Sequence, residues 1–97
     1  MAFYVYILAS RRNGTLYIGY TDNLRRRLFE HREGVTEGFA WRYGVTRLVW
    51  YEAHESRDSA WRRETQMKKW RRLWKLELIE RHNPAWEDLT EHVPSPW

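Results

Sequence analysis

Two short runs rich in aromatic and β-branched residues, Tyr4-Val5-Tyr6-Ile7-Leu8 and Leu16-Tyr17-Ile18-Gly19-Tyr20, stand on either side of Asn13-Gly14. Asn-Gly between alternating runs is a strong hairpin signal, because both residues accept the positive φ that a tight turn demands. The register follows from counting. A two-residue loop pairs Arg12 with Thr15; a four-residue loop pairs Ser10 with Thr15. Side chains alternate with period two, so either loop puts Tyr4, Tyr6, Leu8, Tyr17 and Gly19 on one face. Phe3, Val5, Ile7, Leu16, Ile18 and Tyr20 take the other, an ordinary core face. The first face gathers phenols around a residue with no side chain. Tyrosines on strands commonly pack half-buried, so the hairpin alone does not establish an active site.

Beyond the hairpin, Thr21-Asp22-Asn23 offers helix N-caps, and Leu24 and Leu28 follow at helical spacing. Arg27 and His31, four apart, share one flank of that helix, while Arg25 and Arg26 point elsewhere. The helix ends by Gly34, and residues 34–44 read as a loop with Phe39, Trp41 and Tyr43. Residues 46–53 make a third strand, with Leu48 and Trp50 on one face and Val49 and Tyr51 on the other. Ser56 or Asp58 caps a helical run to about His82, broken into two helices between Trp70 and Arg72 where the apolar stripe drifts. Asn83-Pro84 stops it. The tail from Ala85 reads as loop or a short helical turn packed on the body. These elements predict one α+β domain over residues 1–97, without repeat or linker.

Charge narrows the function. Seventeen Lys and Arg stand against thirteen Asp and Glu, net +4, and fourteen of the seventeen are Arg. Guanidinium favours planar, bidentate contact with phosphate or carboxylate. Residues 57–75 hold eight basic residues against Asp58 and Glu64, with Trp61, Trp70 and Trp74 between them. This is either a solvated helix surface or a nucleic-acid-binding face that includes Arg62, Arg63, Lys68, Lys69, Arg71, Arg72 and Lys75. The absence of Cys excludes disulfides and thiolate metal sites and suits a cytoplasmic location. No window is long and apolar enough for a membrane span.

Glu64 is the anomaly of that basic segment. It shares a helix face with Ala60 and Met67, so its carboxylate lies on or beside the apolar stripe. An isolated Glu there most simply pairs with a neighbouring cation. An inward carboxylate among cations also suits a hard metal ion, because Mg2+ is commonly held by one or two carboxylates plus water and phosphate oxygens. His31 taken alone is an ordinary boundary histidine.

The order Tyr6, Tyr17-Ile18-Gly19, Arg27, Glu64, Asn83 resembles the GIY-YIG nuclease superfamily. The likeness runs over residues 4–89, with 90–97 a C-terminal tail. It looks nearest to the small stand-alone bacterial branch, through Asn-Leu-Arg-Arg-Arg-Leu at 23–28, His31, Arg63-Glu64, Lys68-Lys69-Trp70 and Asn83-Pro84-Ala-Trp86. One departure is plain. The first signature triplet reads Tyr4-Val5-Tyr6, keeping the tyrosine but not the glycine, and bulk at position 4 narrows approach to the sheet.

The resemblance implies a three-stranded antiparallel sheet flanked by helices and metal-dependent endonuclease action on nucleic acid, DNA ahead of RNA. It implies one Mg2+ or Mn2+ ion, with Glu64 as its sole protein ligand. By the same likeness Arg27 contacts the non-bridging phosphate oxygens, and Tyr6 and Tyr17 position or deprotonate the attacking water. His31 is the alternative proton acceptor, since a phenol of ordinary pKa about 10 is a poor base at neutral pH. Asn83 orients the site, and Gly19 keeps backbone open for the phosphate. Relatives in the superfamily borrow specificity from an attached domain, so a protein partner supplying specificity is the corresponding expectation here. The competing class is a non-catalytic nucleic-acid-binding module that retains the fold. An intact set with an inward carboxylate favours the enzyme, since pure binding has no use for a group that repels phosphate.

Overall fold

The computed structural model describes residues 2–34 and 42–93. Strands β1 (Phe3–Ala9), β2 (Leu16–Thr21) and β3 (Arg47–His54) form one antiparallel sheet in the order β2-β1-β3. Helix α1 (Leu24–Glu33) lies between β2 and β3 in sequence; α2 (Arg57–Lys68) and α3 (Arg72–His82) follow, and Thr90–His92 is a 3-10 turn. The architecture is the expected α+β sheet with helices. Phe39 and Trp41 of the expected loop, and the last four residues of the tail, lie outside the described residues.

The hairpin closes with the four-residue loop. Ser10 N–H donates to Thr15 O at 3.0 Å, Gly14 N–H to Arg11 O at 2.9 Å, and Asn13 takes a φ of 57°. Asn tolerates that region because its short polar side chain bonds locally. The pairing Tyr6↔Gly19 and Leu8↔Tyr17 puts both phenols on one face, opposite Val5 and Ile18.

Both faces are covered. Val5, Ile7, Ala9 and Ile18 form one core with Ala60 and Met67 of α2, Leu78 and Ile79 of α3, and Trp86. Tyr6 and Leu8 form the other with Leu24 and Leu28 of α1, Val45, Leu48 and Val93. Asn23 caps α1, its side chain accepting from Arg26 N–H, and Gly34 ends it at φ 67°. Ser56 caps α2 through Ser59 N–H, and the break before α3 falls at residues 69–71.

Strict alternation in β3 fails. Ile7 pairs with Trp50 but Leu8 with Leu48, a bulge that leaves Val49 as the extra residue. Leu48 therefore joins the phenol-side core, while Val49 and Trp50 join the other. The expected grouping of Leu48 with Trp50, and of Val49 with Tyr51, is corrected. One inserted residue reverses the faces on its two sides.

Up to residue 93 the tail packs on the body. Val93 O accepts two bonds from Arg25, at 3.2 and 2.9 Å, the Tyr51 hydroxyl donates to His92 O at 3.1 Å, and Arg32 pairs with Asp88.

Candidate active site

Gly19 shapes the phenol face. A Cβ at this position would lie 2.5 Å from the Tyr6 hydroxyl oxygen and 2.7 Å from Tyr6 Cζ. Tyr6 stands opposite Gly19 in the ladder, so its ring folds over bare backbone. The role expected of Gly19 is open backbone for a phosphate. The space it frees is filled by the Tyr6 phenol.

Tyr6 is 1% exposed, and its hydroxyl lies 3.2 Å from Nε2 of His31, itself 4% exposed. Burial raises the Tyr6 pKa far above its ordinary value; the nearby Tyr17 and Glu64 add to the rise, and Arg27 opposes it. Burial, and after it the charge of Arg27, lowers the pKa of His31. Both groups are therefore neutral at neutral pH, and the imidazole tautomer sets the direction of their hydrogen bond. Tyr17 completes the cluster, its ring 6.3 Å from Tyr6 and edge-on to His31 at 5.4 Å. Being half-buried, Tyr17 is the phenol of the pair that reaches the surface.

Two charged groups border the phenols. Arg27 sits one turn before His31 on α1, and its Nη1–H donates to Glu30 Oε1 at 3.2 Å. Partial burial acts to lower its pKa, but interaction with Tyr6 and Glu30 outweighs that and raises it, so the guanidinium stays charged. Glu64 comes from α2, which packs on β1 and β2. Its side chain is 12% exposed, with Lys68 Nζ 3.5 Å from Oε2, and its charge is felt at Tyr6. Tyr6, Tyr17, Arg27 and His31 thus gather from two strands and α1, while Glu64 stands on α2, whose Ala60 and Met67 pack on the other face of the sheet.

Residues 2–77 match the GIY-YIG catalytic domain. The chain belongs to the GIY-YIG family. Its relatives include a UPF0213 protein of Clostridium perfringens, 38% identical over 90 residues that cover 93% of this chain and 96% of that one. A UPF0213 protein of Natronomonas pharaonis is 41% identical over 78 residues, 78% of this chain and 88% of its own. The solution NMR structure of a UPF0213 protein from Bacillus halodurans matches with a TM-score of 0.57 at 32% identity, covering 98% of this chain and 100% of the other.

Within this GIY-YIG domain, the Tyr4 that replaces the signature glycine is half-buried and meets Tyr51 edge-on, ring centroids 6.2 Å apart. Asn83 stands away from the phenols. Its Nδ2 donates to Val49 O at 3.1 Å and Glu87 O at 2.9 Å, and its Oδ1 accepts from Glu87 N–H at 3.0 Å. It ties the turn after α3 to the β3 bulge, so any influence on the site passes through β3.

The basic residues of 57–75 do not share one face. Lys68 lies on the Glu64 flank of α2, and Arg63 lies on the opposite flank, donating to Glu52 at 3.1 Å and covering Trp70. Arg62 pairs with Asp58 at 2.9 Å. Arg71 lies over Trp74, and Arg72 donates to the carbonyls of Asn13 and Gly14 at 2.8 and 2.6 Å, anchoring α3 to the hairpin turn. Lys69 is exposed and Lys75 half-buried. These residues are spread over several flanks because the helix breaks at residues 69–71.

Two neighbours of the site escaped the sequence reading. Glu30, bonded to Arg27, was legible as an i, i+3 partner on the same helix. Tyr51, opposite Tyr6 in the β1–β3 ladder, was hidden by the bulge.

Proposed function

We propose that this GIY-YIG domain is an endonuclease that hydrolyses DNA phosphodiester bonds with one divalent ion, Mg2+ or Mn2+. The observation that carries the reading is Tyr17 and Arg27 beside the buried Tyr6–His31 pair, and the nearly enclosed Glu64 carboxylate, whose charge acts on Tyr6, supports it. Phosphodiester hydrolysis requires an oriented water, countercharge on the phosphate and a proton acceptor.

The donor set fits a single hard cation. No cluster of three or more His, Asp or Glu forms among the described residues, and Glu64 offers one carboxylate. One carboxylate with water and phosphate oxygens is a common way to hold Mg2+. The ion supplies Lewis acidity at the phosphate. Glu64 holds it, and Lys68 exchanges its present partner for the phosphate backbone as DNA arrives.

Arg27 is held charged beside the phenols and gives its guanidinium to the non-bridging oxygens, where negative charge gathers in the transition state. Tyr17 is the phenol that touches water and orients it. Tyr6 and His31, out of solvent reach, are positioning residues that fix Tyr17. Buried, and with Nε2 engaged by the Tyr6 hydroxyl, His31 takes a proton only by way of that hydroxyl. A binding module would gain nothing from a carboxylate held among cations that must meet phosphate.

The test is incubation of labelled duplex, nicked, branched and single-stranded DNA, with RNA counterparts, in Mg2+, Mn2+ or EDTA. The reading expects cleavage of DNA with either metal and none in EDTA. Binding of DNA with no cleavage of any substrate under either metal would establish the binding module instead.

A further inference from the structure

Arg57, Trp61, Glu64 and Lys68 follow one another at spacings of four, three and four, so they form a single ridge along one flank of α2. The ridge is continuous with the proposed site, because its third member is Glu64. Trp61 lies about 4.5 Å along the helix axis from Glu64. It is 50% exposed.

Trp61 also differs from the other surface indoles of the helical region. Trp70 and Trp74 meet edge-on at 6.4 Å, and Arg63 and Arg71 lie over their rings. Among the described residues nothing stacks on Trp61, and its indole N–H has no acceptor. Beside it is an open cleft of about 420 Å³ lined by Tyr20, Arg57, Asp58 and Trp61. That volume falls within the range of small-molecule sites, roughly 300–1,000 Å³. Asp58 is paired with Arg62 at 2.9 Å, and the cation of the cleft, Arg57, lies over the Phe3 ring with Asp22 at 3.8 Å, a long exposed pair that an incoming phosphate can replace.

We propose that Tyr20, Arg57 and Trp61 form a subsite for one unpaired DNA nucleotide next to the phosphodiester that is cut. The base stacks on the Trp61 indole with Tyr20 as the side wall, and Arg57 takes the adjoining phosphate. This deepens the DNA-cleavage reading and rests on it. A duplex base has both faces covered by its neighbours, whereas an unpaired base offers a free face to an aromatic ring, with little dependence on sequence. The subsite therefore gives a small nuclease domain a preference for junctions between duplex and single strand.

The experiment is affinity in EDTA, where no cut occurs, for a fluorescent DNA hairpin with a single-stranded overhang. One overhang nucleotide at a time is replaced by an abasic unit. Wild type, Trp61→Ala and Trp61→Phe are compared, with circular dichroism as a check of folding. One abasic position should weaken wild-type binding roughly tenfold, and Trp61→Ala should weaken binding of the intact overhang by a similar factor. Trp61→Ala should then be indifferent to the abasic position, and Trp61→Phe should keep most of the affinity. An abasic penalty equally large in wild type and Trp61→Ala, or no loss in Trp61→Ala, would overturn the subsite. Failure of the nuclease reading is visible separately, as intact DNA after Mg2+ is added.

Discussion

One face of the sheet is closed by two helices and the other by α1 and the tail, and the chemistry of the two differs. On one, Val5, Ile7, Ile18 and Trp50 meet Ala60, Met67, Leu78 and Ile79, and among the described residues no titratable group is buried with them. On the other, Tyr6 and Tyr17 share the interior with His31, and Arg27 and Glu64 stand at the border. A face closed by apolar groups alone is held by area and fit. The phenol face must keep its polar groups neutral or paired to stay buried, and it does both. Tyr6 and His31 are held neutral and bonded to each other; Arg27 is paired with Glu30 and Glu64 with Lys68. The division suggests that substitutions on the two faces separate stability from chemistry.

Ile79→Ala should show the largest stability effect. Ile79 is fully buried on the apolar face. Emptying its side-chain volume should remove about 2–5 kcal/mol, read as a lower denaturant midpoint. Activity per folded molecule should stay at the wild-type level. A variant that keeps its midpoint but loses activity would break the division.

Gly19→Ala comes next. The new Cβ would stand 2.5 Å from the Tyr6 hydroxyl oxygen and 3.2 Å from Tyr17 Cε1, so the phenols must move. Overpacking of this kind should destabilise the protein by about 1–3 kcal/mol. Unlike Ile79→Ala, it should also reduce cleavage by the molecules that remain folded. Normal cleavage with displaced phenols would show that their placement does not matter.

The smallest effect is a slope with pH. The folded pKa of His31 lies below its ordinary value of about 6.5, so the unfolded chain binds the proton more readily. This contribution to stability is fully present above about pH 6.5 and is lost as pH falls toward the folded pKa. Unfolding midpoints measured from about pH 7.5 down to 5 should therefore fall more steeply in wild type than in His31→Gln. Equal slopes would mean that burial of the imidazole does not bias its protonation.

How far these features can be read from sequence depends on whether they are local. The hairpin faces follow from period-two counting, because either loop length leaves Tyr6 with Tyr17. The caps at Asn23 and Ser56, the end of α1 at Gly34 and the stop at Asn83-Pro84 are likewise written in adjacent residues. The β3 faces are not, because nothing beside Val49 marks the bulge. Its carbonyl is satisfied by Asn83, thirty-four residues away in sequence. The fit of Tyr6 over Gly19 is also a cross-strand matter; the glycine was legible, but what fills its space was not. The flank each basic residue takes is not legible either, because nothing local fixes the direction of α3 after the break at residues 69–71. The order of Tyr6, Tyr17-Ile18-Gly19, Arg27, Glu64 and Asn83 carried the family resemblance, while the placement of their side chains depends on the whole fold.

Glu64→Gln tests the central claim most directly, with cleavage rate, DNA affinity and unfolding measured on one preparation under titrated Mg2+. Gln keeps the size and helix preference of Glu, and the side chain lies at the edge of the core, so the fold should survive. Loss of the carboxylate removes the anchor of a hard cation and the repulsion of an approaching phosphate. The account predicts a fall in cleavage rate of at least about a hundredfold, with unfolding unchanged and metal-free affinity equal or tighter. Wild-type metal-dependent cleavage by folded Glu64→Gln protein would contradict it.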